Sequence, residues 1–372
     1  MGINPSNNNS IALGVGDLED VEQFTSLGNI RDRDGGTAKD INGRMDAIAG
    51  TEVRNQTSVK EFVLLGFPGT WYFRMSLAAL FSITYIIIIV GNTSIIALVK
   101  THPQLHTPMY FFLCNLSFLE IWLTTSCLPK AIGVTLGTSQ TISFTACLLQ
   151  LFFLFSLGAT EAFLLATMAY DRYLAICHPL RYRALMNNTI TAQLALASWL
   201  GGFLSISLLA ALISRFSFCG PNVINHLFCE MEFWFALSCT DTRVIELIMF
   251  ILSLSVLIIS CTIILVSYIC LISTISRIPS TQACQKAFST CSVHLIVVIV
   301  WFSSGIILTV KPFAERPQDL NKIVSIFVTI ITALLNPFIY TLRNKEVKEV
   351  LGRTVRGILE NLRISRYLTH VT

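Results

Sequence analysis

Met168-Ala-Tyr-Asp171-Arg172-Tyr173-Leu-Ala-Ile-Cys177-His178-Pro179-Leu-Arg181-Tyr182 stands where a long apolar run gives way to a basic one. Upstream, Cys147 to Thr167 is almost uninterruptedly apolar. At about 1.5 Å per residue it is long enough to cross a bilayer core of about 30 Å. Downstream, Arg181 and Arg183 need water. An acid and a base side by side, Asp171 and Arg172, are costly to bury in lipid, so they belong at the interface or in a water-accessible inner cavity. That placement suits a switch. The plainer reading of the same residues is that Arg172 and Arg181 anchor a helix end among headgroups.

Working outward, apolar runs of spanning length fall at 74-99, 107-130, 144-175, 190-212, 243-275, 284-310 and 320-342. The 372 residues are 53% hydrophobic and only 13% charged, with a mean hydropathy of +0.66. Such values fit a polytopic membrane protein and argue against a soluble bundle. The expected fold is all-α, a bundle of seven transmembrane helices over residues 55-343. The net charge of +4 says little as a total. Its distribution says more: up to Glu61 there are ten acidic and six basic residues, whereas the loops and tail that share a side with Arg172 are rich in Lys and Arg. The positive-inside bias then puts Arg172 and the C-terminus in the cytoplasm and the N-terminus outside. These charges are spread over loops rather than gathered on one face, so nucleic acid is not an expected partner.

Residues 1-54 are polar and aperiodic, and read as a disordered extracellular extension. Initiation at Met45 would give a short form without most of it. Asn55-Gln56-Thr57 is a glycosylation sequon on the outer side. After Asn344, the spacing of Val347, Val350, Leu351, Val355 and Ile358 reads as an amphipathic helix on the inner leaflet, so 344-372 is a cytoplasmic tail with membrane lipid as its partner.

The opening stretch resembles the third-helix signature of the olfactory receptors, within the rhodopsin-like G-protein-coupled receptors. The resemblance continues in Pro108-Met-Tyr-Phe-Phe-Leu-Cys-Asn115-Leu-Ser-Phe-Leu-Glu120, in Lys286-Ala-Phe-Ser-Thr-Cys-Ser-Val-His294-Leu and in Asn336-Pro337-Phe-Ile-Tyr340-Thr-Leu-Arg343-Asn344. It implies an odorant receptor of the plasma membrane, not an enzyme, that uses no cofactor. It would bind a small volatile odorant and activate a stimulatory, olfactory-type G protein to raise cAMP. The switch residues would be Asp171, Arg172, Tyr173, Tyr268, Asn336, Pro337 and Tyr340, with Asp171 holding Arg172 in the resting form.

Glu120 and Glu161 are the carboxylates set deepest in apolar runs, which by default marks a functional site. Their family counterparts face each other beside the positions matched by Asn92 and Asn336. Two carboxylates in one low-dielectric site share a proton or a cation. A hydrogen-bonded pair that merely joins helices is the structural alternative.

Four cysteines, Cys147, Cys219, Cys229 and Cys239, lie on the outer side, and sequence alone allows three connectivities. The resemblance implies Cys147 with Cys229 and Cys219 with Cys239. His226, Cys229 and Glu230 also bring metal-ligating types together at short spacing. That site fails if Cys229 is oxidised, and no metal is expected.

Helical spacing and the family's pocket positions together select Leu154, Phe155, Gly158 and Ala159 in the third span, and Met249, Leu252, Ser253 and Val256 in the fifth. The sixth adds Phe302, Gly305, Ile306 and Thr309, and the seventh Thr329. An apolar wall with a few hydroxyls suits a small, weakly polar ligand. Two departures from the family bear on switching: Trp301-Phe302-Ser303 stands where Phe-Tyr-Gly is usual, and Ala333 where Pro is common. The alternatives are a chemoreceptor of the same fold for a non-odorant ligand, and a small-solute or ion transporter using Glu120 and Glu161.

Overall fold

The apolar runs become seven long helices in a computed structural model. It describes residues 59–219, 222–277, 281–310 and 318–343, and in the last two stretches the side chains of 291–292, 294–306 and 322–335. The helices are α1 (Trp71–Thr101), α2 (Pro108–Leu136), α3 (Phe144–Cys177), α4 (Asn188–Ile213), α5 (Arg243–Ile275), α6 (Thr281–Val310) and α7 (Gln318–Arg343). The first five are each long and apolar enough to cross a membrane. α6 and α7 contribute the apolar stretches His294–Ile306 and Lys322–Leu335 among the described residues. The expected extension 1-54, Asn55 and the tail 344-372 lie outside the described residues.

Local chemistry sets the helix ends. The side chains of Thr70, Ser143 and Asn187 accept hydrogen bonds from the Phe73, Ala146 and Ile190 N–H groups, satisfying donors that a first turn leaves open. α2 begins with Pro108 at its first turn and stops at Gly137, which takes the left-handed conformation at φ 77°. It outruns the expected end at residue 130 by six residues. Lys130 does not terminate it, because its ammonium reaches the Ser139 hydroxyl at 2.8 Å and the Thr141 carbonyl at 2.6 Å.

α3 is the axis of the bundle. Leu157, Leu164, Leu165 and Met168 are wholly buried in a core shared with α2, α5 and α6. Leu80, Ile83, Ile86 and Val90 of α1 and Ile258, Leu265 and Ile269 of α5 are exposed, an outward apolar face that suits lipid. α4 meets α3 at Gly202 so closely that a Cβ there would lie 2.1 Å from the Thr160 hydroxyl and 2.7 Å from the Ser156 carbonyl.

A small sheet, absent from the sequence reading, covers the ends of the helices. β1 (Glu61–Leu64) lies between β2 (Thr141–Ser143), to which it is antiparallel, and β3 (Val223–Ile224), to which it is parallel. The alternation of β1 sends Phe62 and Leu64 into a core with Trp234, Phe218 and Phe144. Two disulfides fasten this lid. Cys147 at the start of α3 is joined to Cys229 and Cys219 to Cys239, with Cα atoms 5.6 and 5.4 Å apart. The pairing is the one the resemblance implies. A short helix, Met231–Leu237, follows Cys229, and its Trp234 indole donates to the Cys147 sulfur at 3.2 Å.

Candidate functional site

Below the lid, α3 turns Leu154 and Phe155 toward Met249 of α5 and Ile326 and Ile330 of α7, all within one apolar cluster. One turn deeper, Ala159 and Val256 pack with Ala162, Phe163 and Trp301. Gly158 lies between the two groups, and a Cβ added to it would meet no atom within 4 Å. In a close-packed bundle such a gap beside an apolar wall is room for a ligand. Leu252 and Ser253 are half-buried alongside. Phe302 is buried in the inner core, and Gly305 faces Leu257. Thr329 donates its hydroxyl to the Ser325 carbonyl at 2.9 Å, which leaves it as an acceptor for any ligand.

One candidate is less enclosed than the others. Ile306 is 50% exposed. The side chain of Thr309 lies outside the described residues.

Deeper in the bundle, Asn92, Glu120 and Glu161 are all buried. The Asn92 amide donates to its own helix at the Ile88 carbonyl, 3.0 Å away. Glu161 is within hydrogen-bonding reach of Glu120 and of the Trp301 indole. Two carboxyl groups in contact need a proton between them, since one must donate. Trp301 was noted in the sequence only as a departure from Phe-Tyr-Gly. It places an N–H beside the pair from α6, where the family's tyrosine hydroxyl is missing.

At the C-terminal end of α3 no close ion pair joins Asp171 to Arg172 among the described residues. The Asp171 carboxylate instead accepts the Tyr182 hydroxyl at 2.7 Å. Tyr182 sits on a one-turn helix, Tyr182–Leu185, eleven residues downstream. Burial, and then the neighbouring Asp171 charge, push its phenol up, so it stays protonated and donates. Adjacent residues on a helix point about 100° apart, and the Arg172 charge acts on the carboxylate without a close ion pair among the described residues. The Arg172 Nε is buried with no hydrogen-bond partner among the described residues. Tyr173 contacts His178 Nε2 at 3.0 Å. Tyr268 of α5 meets His294 Nδ1 of α6 at 2.8 Å, the two rings nearly coplanar at 7°. This links the inner halves of those helices. Asn336, Pro337 and Tyr340 fall on α7, with side chains outside the described residues.

The structure removes the metal reading of His226, Cys229 and Glu230, because the Cys229 sulfur is bonded to Cys147 and has no thiolate to offer. His226 Nε2 lies 3.5 Å from Glu230 Oε1. Burial holds His226 down to about 3 and pushes Glu230 up to about 7, so the contact is not a full ion pair at neutral pH. Glu230 also accepts the Ser325 hydroxyl of α7. Neither Ser325 nor Lys322 carried a role in the sequence reading. A face of α7 at 322, 325 and 329 is their only signal there, and it needs the lid to give it meaning.

The comparisons agree with this geometry. The sequence model of the olfactory receptor family matches residues 81–357. Olfactory receptor 6F1 of Homo sapiens is 55% identical over 303 residues, covering 82% of this chain and 98% of its own. Olfactory receptor 287 of Rattus norvegicus is 53% identical over 304 residues, covering 82% and 98%. Among solved structures, squid rhodopsin superposes with a TM-score of 0.62 at 18% identity, over 79% of this chain and 88% of that one, which establishes the rhodopsin-like fold. With the seven helices, the lid disulfides and similarity over nearly the whole length of these relatives in agreement, this multi-pass membrane protein belongs to the olfactory receptor family.

Proposed function

We propose that the protein is an odorant receptor of the plasma membrane, with its N-terminus outside and its C-terminus in the cytoplasm. It binds a small, volatile, mostly apolar molecule between α3, α5, α6 and α7 and activates a stimulatory, olfactory-type G protein to raise cAMP. The observation that carries the site is the open space at Gly158, flanked by Phe155, Ala159, Met249 and Val256. Apolar burial there supplies affinity, and Ser253 and Thr329 supply orientation. The ligand favours an arrangement in which the inner ends of α5 and α6, tied by Tyr268 and His294, move away from α3. Arg172 then faces the cytoplasm with its donors free. Asn55 carries a glycan in this reading, and residues 344-372 lie on inner-leaflet lipid.

The test is cAMP in cells that express the receptor with an olfactory-type G protein, screened against a broad panel of volatiles. Gly158→Leu fills the gap without touching a neighbour's backbone, so its surface level stays normal. The potency of any agonist falls about 10–100-fold, the cost of about 1–3 kcal/mol for overpacking a fitted site. Full potency in Gly158→Leu would place the ligand elsewhere.

A further inference from the structure

The lid has two kinds of attachment to the bundle. On the α3 side it is held covalently by Cys147–Cys229. There the Cys229 N–H also donates to Gln150 Oε1 at 2.9 Å, while Gln150 Nε2 donates to the Ser126 carbonyl of α2 at 2.6 Å. On the α7 side the attachments among the described residues are reversible. Ser325 donates to Glu230 of the lid. Lys322, 1% exposed, donates to the Gly66 carbonyl just past β1 at 3.0 Å, with its ammonium 5.5 Å above the Phe67 ring. The two α7 residues are three apart and so share a face. One grips the loop of Cys229 and the other the end of the β1 segment.

A cover hinged on one side by a covalent bond and pinned on the other by two polar contacts is built to swing about the hinge. We propose that Glu230, Ser325 and Lys322 form a latch between the lid and α7, and that its opening admits water-borne molecules from the lid side to the space beside Gly158. The proposal rests on the pocket reading given above. Lys322 and Ser325 are buried and Glu230 is nearly so, and replacing any one of them removes a polar contact made only in the closed form, so the closed form loses more than the open, hydrated one. Removing a member therefore shifts the population toward the open lid.

The experiment measures how fast a thiol placed in the gap, Gly158→Cys, is modified in intact cells. Two methanethiosulfonates are compared: a membrane-impermeant trimethylammonium-ethyl reagent and a permeant benzyl reagent. Labelling of the receptor without Gly158→Cys is subtracted as background. With the latch intact, the cationic reagent reacts slowly. With Glu230→Gln or Lys322→Met added it reacts at least about tenfold faster, while the benzyl reagent, which enters through lipid, changes little. Ser325→Ala, which deletes one hydroxyl, serves if the charge variants fail to reach the surface, and gives a smaller acceleration in the same direction. Cationic labelling at the same rate with and without the latch overturns the gate. If neither reagent labels Gly158→Cys in the folded receptor, yet both label it after denaturation, the pocket reading fails and the gate falls with it.

Discussion

Gly202→Val keeps the receptor from the cell surface. A Cβ at this position would lie 2.1 Å from the Thr160 hydroxyl, 2.7 Å from the Ser156 carbonyl oxygen and 2.7 Å from the Thr160 backbone nitrogen. Two of these neighbours are backbone and cannot rotate away, so α3 and α4 must separate. Separation would strain the Trp199 indole bond to Asn115, 3.0 Å long, and the aromatic group of Trp122, Phe153, Trp199 and Phe203 that seals α2, α3 and α4 together. Overpacking of this kind costs about 3 kcal/mol or more, a large part of a typical stability of about 5–15 kcal/mol. Gly201 is the internal control. A Cβ there meets only the Phe163 ring at 3.3 Å, an adjustable side chain. Flow cytometry with an antibody to an N-terminal tag should find Gly201→Ala near normal and Gly202→Val close to background. Normal surface levels of Gly202→Val would mean the two helices are not packed this way.

Arg172→Ala, by contrast, reaches the surface and loses nearly all agonist-driven cAMP. Asp171 already has a partner in Tyr182, so removing Arg172 orphans no acceptor. What disappears is a guanidinium whose buried Nε has no partner among the described residues, at the inner end of the bundle. Its five donors suit the open carbonyls at the C-terminal end of a partner helix, where the helix dipole also favours a cation. Tyr182→Phe is the companion measurement. Without the hydroxyl the Asp171 carboxylate turns to Arg172 and competes for those donors, so maximal cAMP falls while surface level holds. Undiminished responses in Arg172→Ala would remove it from the coupling mechanism.

The parts legible from sequence are those that the solvent dictates. A helix in lipid satisfies its own backbone, so each span announces itself as an apolar run, and the expected bounds fell within a few residues of the helices except at the end of α2. The proposed pocket wall on α3 and α5 rests on the 3.6-residue period together with the resemblance to the family. Illegible were the contacts that tertiary placement alone creates. Strands of four, three and two residues carry no periodic signal, and their pairing joins segments as far apart as Glu61–Leu64 and Val223–Ile224. Asp171 took Tyr182 rather than its neighbour because side-chain direction outranks proximity in sequence. Trp301 is near Glu161, and Lys322 and Ser325 reach the lid, only because helices far apart in the chain are adjacent in space.

The place of β1 in the middle of its sheet has a consequence for how the protein is made. Residue 63 pairs with residues 141 and 223. β1, made before any of the helices, thus has no complete seat until about 160 residues later, which at roughly 5–20 residues per second is about 10–30 s of synthesis. During that interval Phe62 and Leu64 are without their core, and the cysteines of the 229 and 239 positions have yet to appear. A strand made before all seven helices is completed only after the fourth, so the lid works as a checkpoint of assembly. A bulky fusion directly before Val59 would delay maturation of a bundle whose helices are otherwise intact.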